Sequence, residues 1–325
     1  MTDLRNANRI SAGIIETVLG PLDTCALGAC QCHEHLFVAR GRPAEVDPAL
    51  LMEDVGCAVR ELALYREAGG QAVVDAQPVG CGRMAGALRE ASGRSGVRIV
   101  ASTGFHKLVY YPEDHWIFTR SRDSLAELFI RELTDGMRDD GCEPLPGCRA
   151  GILKTALDSC GVSGRYEALF EAAAASARIT GAPVMLHVEK GADALDALSF
   201  FAKRSIPAEQ LIFCHMDRAE ERFDRHIEIA RAGSFLEYDT IARFKYHSDE
   251  RECELIEGML AAGLENRLLL SLDTTRKRLK SYGGSPGLDY IRKVFIPKLT
   301  SRGVPAKIIR QLTVDNPAEA LARRV

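Results

Sequence analysis

The sequence predicts an α/β protein folded as a (β/α)8 TIM barrel, and three observations carry that expectation. Eight short runs rich in apolar and β-branched residues recur along the chain. Helical patterns separate them. The 325 residues, 46% of them hydrophobic, suffice for one large core, and no Ser/Gly linker or low-complexity tract divides them. One barrel domain over residues 1–325 is the expectation, with a doubly wound sheet as the alternative.

The runs, in order, are GACQCHEHLF from Gly28, QAVVDAQP from Gln71, VRIVASTGFH from Val97 and RAGILKTAL from Arg149. APVMLHVE from Ala182, LIFCHMD from Leu211, SFLEYDTI from Ser234 and RLLLSLD from Arg267 complete the set. Near-continuous apolar character suits parallel strands covered on both faces. Between them, DSLAELFIRELTDGM puts Leu125, Phe129, Leu133 and Met137 at four-residue spacing behind an Asp123/Ser124 cap. YEALFEAAAASARITG is Ala-rich and stops at Gly181, a residue suited to a helix C-terminus. DNPAEALARR offers Asn316 as N-cap and Pro317 as first helical residue. The longer connections follow the third, seventh and eighth runs, which in a barrel places them at the face where active sites are built. Trp116 lies in the first of them.

Composition excludes several classes. Lys+Arg 42 against Asp+Glu 45 leaves a net charge of −3, which gives no reason to expect nucleic acid or an anionic membrane as partner. No apolar run approaches the roughly 20 residues of a membrane span. The opening MTDLRNANRI lacks the apolar stretch of a signal peptide, so a cytoplasmic location is expected. A small-molecule substrate is the expected partner, and a homodimer is left open. Ten cysteines are scattered, with no Cys-x-x-Cys pair, and read as reduced packing residues.

The first run poses a choice, because it holds a Cys/Cys/His/His set and a His-x-His pair within six positions. Side chains alternate along a strand. His33 and His35 therefore share one face and Cys30 and Cys32 the other. With the histidines toward the barrel mouth, the cysteines face the helix layer, and a four-ligand knuckle fails. The helical zinc-protease motif is excluded too, since it needs His-Glu-x-x-His. Other runs end similarly: Lys154, His187, His215 and Asp273 each stand at or near a strand's C-terminal end. Singly, such residues are ordinary polar contacts. Together, four histidines and an aspartate suit Zn²⁺, Mn²⁺, Co²⁺ or Fe²⁺. A lysine beside cations becomes useful if CO₂ converts it to a carbamate, an anion able to bridge two metals. That reaction needs a neutral amine, which burial near cations favours.

With these residues in place, the chain resembles the phosphotriesterase family of the amidohydrolase superfamily. The likeness runs nearly end to end, through TVLGPLDTCALG leading to HEHL, VVDAQPVGCGR, STGF, ILKTA, PVMLHVE, CHMDR, LLLSLD and VDNPAEAL. It implies a binuclear centre on His33, His35, carboxylated Lys154, His187, His215 and Asp273, with zinc favoured. It also implies ester hydrolysis by a hydroxide shared between two divalent ions, Asp273 taking its proton and passing it to the leaving oxygen. Phe105, His106 and Tyr110 should line the mouth, while Asp75 and Asp239 read as hydrogen-bond partners either of the ligands or, in preference, of the core. Basic loops flank that mouth, RFKYH and TTRKRLK. Relatives that hydrolyse phosphorylated sugar lactones use a lysine and an arginine at positions like Lys245 and Arg276. The tyrosine expected three residues after the arginine is Leu279 here, leaving Tyr282 as a substitute to be tested.

The expected activity is that of a lactonase on a sugar lactone with an anionic group. An arylesterase or organophosphate triesterase is the alternative, and a silent binding protein on the same barrel is the alternative of another class. Two competing motifs fail. GGSPG at Gly283–Gly287 follows a basic loop, and Pro286 lacks the N–H that an oxyanion hole needs. GCGRMA at Gly80–Ala85 has no acidic residue about 20 positions on, as a dinucleotide fold requires.

Overall fold

The computed structural model describes residues 13–139 and 141–324. A hairpin comes first: β1 (Ile14–Thr17) pairs antiparallel with β2 (Gly20–Asp23) around Val18 and Leu19. Eight parallel strands follow. They are β3 (Cys30–Glu34), β4 (Ala72–Asp75), β5 (Arg98–Gly104), β6 (Ile152–Leu157), β7 (Val184–Val188), β8 (Leu211–Cys214), β9 (Phe235–Tyr238) and β10 (Leu268–Leu270). Each bonds to the next in chain order, from β3 to β10. Every one falls inside a run picked from the sequence, and the architecture is the expected (β/α)8 barrel.

Alternation along these strands builds two buried layers. One set of side chains, including Val74, Val100, Ile152, Met185, Ile212 and Leu269, fills the barrel interior. The other, including Val73, Leu153, Leu186 and Leu236, packs outward on the helices. Ile15 of the hairpin and Leu321 of the final helix join the interior set and plug the end away from the site.

The first and last barrel strands are sewn together by side chains. The Glu34 carboxylate accepts from Leu272 N at 3.0 Å and Thr274 N at 3.2 Å. Ser271 Oγ accepts from His33 N at 2.9 Å, and Asp273 N donates to His33 O at 3.1 Å. This seam explains the middle letter of His-Glu-His: Glu34 turns away from the mouth to close the barrel. Closure brings His33 and His35 against Asp273, 240 residues away in sequence for the first of them (273 − 33).

Two helix ends differ from expectation. The helix Arg122–Thr134 is capped by Ser121, whose hydroxyl accepts from Ser124 N, so Asp123 and Ser124 already lie in its first turn. Asn316 does not cap. It sits within continuous helical backbone, and its amide donates to Glu265 O and Leu268 O at 2.7 Å each, tying the last helix to β10. Gly181 ends the helix Arg165–Thr180 as expected, with φ 67°.

Candidate active site

The six strand-end residues converge, and none is more than 9% exposed. Lys154 Nζ lies 3.2 Å from His33 Nε2. Asp273 Oδ1 lies 3.6 Å from His35 Nε2 and 4.0 Å from His33 Nε2. His215 Nε2 faces His187 Nδ1 at 2.8 Å, and the His33 and His215 rings are 4.8 Å apart between centroids. A cavity of about 590 Å³ opens above them.

Local backbone aims these groups. His215 and Asp273 both adopt left-handed backbone, φ 62° and 50°, which costs a non-glycine residue roughly 1 kcal/mol. Asp239 offsets part of that cost at His215, accepting from its N at 3.0 Å and its Nδ1 at 2.7 Å. Asp239 also stands 3.1 Å from His33 Nδ1, so it holds one imidazole by hydrogen bonds and places its charge beside a second. Asp75 matches the structural reading, accepting from Leu36 N and Gln77 N. Gly104 (φ 101°) lets β5 approach β6, because a Cβ there would lie 2.1 Å from Lys154 O.

Electrostatics keep most of the imidazoles neutral. Burial pushes His35 down to about 3 and His187 to about 4, and drives His106 and His215 well below the usual histidine value. His33 departs from this. Burial and Lys154 oppose its charge, but the ionised Asp239 carboxylate, 3.1 Å from its Nδ1, favours the protonated ring and its pKa is raised above the ordinary value. Burial also opposes charge on Asp273, yet the Arg243 guanidinium holds its carboxyl well below the usual range. Arg243 Nη1 donates to Asp273 Oδ2 at 2.7 Å and Nη2 to the Asp273 carbonyl.

Several expectations need correction. Cys30 and Cys32 do not face the helices; they belong to the barrel interior. The cause is an irregularity in β3, where the three steps from Gln31 to Glu34 match two steps from Val73 to Asp75 on β4. The extra residue lets Cys32 and His33 both turn inward. Neither Cys30 nor Cys32 joins a cluster of potential ligand atoms among the described residues, so the knuckle is absent for that reason. All ten cysteines are free.

Phe105 does not line the mouth. Val100 points inward, and the same alternation turns Phe105 outward, where it packs on Phe170 at 5.3 Å between centroids. His106 and Tyr110 do line the cavity, their rings edge to face at 4.8 Å. Burial, with Asp273 nearby, pushes Tyr110 up to about 12, so its hydroxyl remains a donor. Lys245 lines the cavity, but Arg276 lies outside it, 5.6 Å over the Tyr282 ring. A 3-10 turn over Arg276–Arg278 sends successive side chains in different directions, and Lys277 and Arg278 reach the cavity instead. Tyr282 packs away from the mouth, its hydroxyl accepting from Asp54 N. In the GCGRMA loop, Arg83 forms a buried pair with Glu132.

A model described as the phosphotriesterase family matches residues 13–321. This chain belongs to the phosphotriesterase family. It is a hydrolase acting on ester bonds, in a family of metal-dependent hydrolases. The chain is 26% identical over 324 residues to a phospho-furanose lactonase of Mycoplasmopsis synoviae, covering 94% of this chain and 91% of that protein. It is 25% identical over 346 residues to an N-acetyltaurine hydrolase of Danio rerio, covering 94% and 97%. The crystal structure of a lactonase from Listeria monocytogenes superimposes with a TM-score of 0.88 at 27% identity, covering 96% of this chain and 100% of that one.

Sequence reasoning missed the role of Glu34 at the seam and the grip of Arg243 on Asp273. Arg243 carries no distinguishing signal, since RFKYH offers two cations on one loop, both of which line the cavity, and the turn alone decides which of them reaches Asp273.

Proposed function

We propose that this phosphotriesterase-family chain is a lactonase acting on a sugar lactone that carries a phosphate or another anionic group. The observation that carries the reading is the convergence of four imidazoles, a buried lysine and an aspartate beneath a cavity with a cationic rim. Six cationic side chains line that cavity against three acidic ones. A neutral phosphotriester gives those cations nothing to bind.

The donor set fits two divalent ions. Lys154 has zero exposure, and the hydrogen-bond partners of its amine are His33 Nε2 and, at 3.6 Å, Met185 Sδ. A bare ammonium buried against an imidazole is unfavourable. A carbamate there would instead present anionic oxygens to cations. His215 donates its Nδ1–H to a carboxylate, the usual support of a metal-binding histidine. His33, His35, His187, His215, Asp273 and a carboxylated Lys154 would hold the pair, with Zn²⁺ proposed and Mn²⁺, Co²⁺ or Fe²⁺ compatible with these ligands. Bound there, the ions would supply a Lewis acid for the substrate carbonyl and lower the pKa of the attacking water.

The chain's own groups then have defined tasks. Arg243 occupies Asp273 Oδ2, leaving Oδ1 to accept the proton of the attacking water and return it to the leaving ring oxygen. The Tyr110 hydroxyl is positioned to donate at the entrance. Lys245 and Arg218 on the rim hold the anionic substituent.

Metal analysis by plasma mass spectrometry tests this, paired with a pH-indicator screen. The panel is sugar lactones with and without phosphate, N-acetyltaurine and a neutral aryl phosphotriester. At least two divalent ions per chain and preferential turnover of an anionic lactone are expected. A metal-free protein, or one that hydrolyses the amide or the triester in preference, overturns the reading.

A further inference from the structure

Behind the catalytic rim lies a second cluster of ligand-type side chains. Asp217 follows β8, His247 ends the loop after β9, and Glu252 belongs to the next helix, Asp249–Ala261. One donor atom of each lies within 4.8 Å of the others. His247 Nε2 is 3.3 Å from Glu252 Oε2 and 3.9 Å from Asp217 Oδ2. Thr240 Oγ1 completes the group, 2.6 Å from Asp217 Oδ2 and 3.1 Å from His247 Nε2.

Three features distinguish this group from an ordinary surface ion pair. Glu252 is fully buried, and neither of its oxygens has a hydrogen-bond partner among the described residues. Asp217 Oδ1 is likewise buried without one. Side-by-side carboxylates in a dry site repel unless a cation or a shared proton sits between them. His247 Nδ1 is directed to the Ser248 carbonyl at 3.1 Å, which leaves Nε2 as the nitrogen facing the carboxylates. That backbone contact is the usual support of an imidazole ligand. A neighbouring cavity of about 480 Å³, lined by Asp217 and His247, provides a path for an ion.

We propose that Asp217, His247 and Glu252, with Thr240 Oγ1 beside them, form a separate divalent-cation site of the Zn²⁺ or Mn²⁺ class. One imidazole nitrogen with carboxylate and hydroxyl oxygens suits those ions. Its role is structural. A cation there ties the end of β8 to the loop carrying Arg243 and Lys245, and so fixes the clamp on Asp273 without touching the reaction.

The test compares metal content of wild type with that of His247→Gln and Glu252→Gln after dialysis against buffered Zn²⁺. Each variant is expected to hold one ion fewer per chain. The difference, not the total, is read, so the result is independent of how many ions the histidine centre takes. Equal content in wild type and both variants overturns the proposal, and means that Asp217 and Glu252 share a proton instead. If neither variant folds, wild-type crystals soaked in Zn²⁺ decide by anomalous scattering. A peak among the three side chains is expected, and none overturns the site.

Discussion

The rim of this barrel has two sides built on different principles. On β3, β6, β7 and β8, the side chains of His33, His35, Lys154, His187 and His215 stand at strand ends and are at most 7% exposed. On the loops after β9 and β10, Arg243, Lys245 and Lys277 stand on short turns, and Phe244 among them is 68% exposed. The strand side holds its groups by ladders, buried carboxylates and close backbone approach. The loop side holds Lys245 by a ring contact, 4.6 Å over Tyr246, and Arg243 is fixed there by its hydrogen bonds to Asp273. Fixed geometry accompanies the groups that do the chemistry, and adaptable geometry accompanies those that meet the substrate. Asp273 joins the two, rooted at the seam yet held by Arg243 from a loop.

The sharpest way to break that comparison is at the joint itself. Asp273→Asn is expected to lower kcat by roughly 10²- to 10⁴-fold, the range of a positioned proton acceptor. Bound metal should be retained, because the other ligands remain. Unchanged turnover, measured beside metal content, would remove Asp273 from the proton path. A smaller loss is expected one layer out. Asp239→Asn keeps the shape but alters the acceptor at His215 Nδ1, and should cost about 10- to 100-fold in activity or metal affinity. If steady-state rates with metal in excess match wild type while affinity falls, Asp239 serves ion binding and not the reaction.

The two sides were also unequally legible in the sequence. Strands are periodic, so the eight runs exposed Lys154, His187 and His215 simply as polar letters ending apolar words. His33 and His35 were visible for the same reason, although the irregularity in β3 sent Cys30 and Cys32 the opposite way from simple alternation. Phe105 was misplaced despite being readable, since counting in twos from Val100 already turns it outward. Arg276 was not readable. In a 3-10 turn, one residue of offset decides whether a cation meets the cavity or stacks on Tyr282, and nothing in TTRKRLK marks the offset. Glu34 was hidden differently: its partners, Leu272 and Thr274, come from the far end of the chain.

Acid should act first on the strand side. The folded chain holds His187 near 4 and His35 near 3, chiefly through burial, while an unfolded histidine titrates near 6.5. Between 6.5 and about 4 the unfolded state therefore binds protons that the folded state refuses. The contribution of these two histidines is full above 6.5 and falls as pH drops, by about 1.4 kcal/mol per pH unit for each one fully in that window. Buried carboxyls such as Glu34 and Asp75, raised to about 8 and about 7, pull the other way over the same range, so the histidines are read one at a time. In an NMR titration of chelator-treated protein the His35 and His187 ring signals should not move between pH 7 and 5, and titration near 6.5 would mean that these imidazoles are not kept neutral by the fold.

The smallest expected effect separates two cations within the loop side. Lys245 lines the cavity and Arg276 does not. A charge-assisted hydrogen bond to an anionic substituent is worth about 1.5 kcal/mol, so Lys245→Ala should raise KM for a phosphorylated lactone roughly tenfold and leave kcat little changed. It should have much less effect on the same lactone without phosphate. Arg276→Ala should leave KM for both within about twofold, since its guanidinium already rests on Tyr282 and faces another surface. A tenfold effect from both would mean that the loop after β10 closes over the substrate and carries Arg276 in. The loop side would then be more mobile than its contacts in this structure imply, and the contrast between the two sides would widen. An effect from neither would mean that the anionic group is met by Arg218 or Lys277 instead, which the same pair of substrates can test one residue at a time.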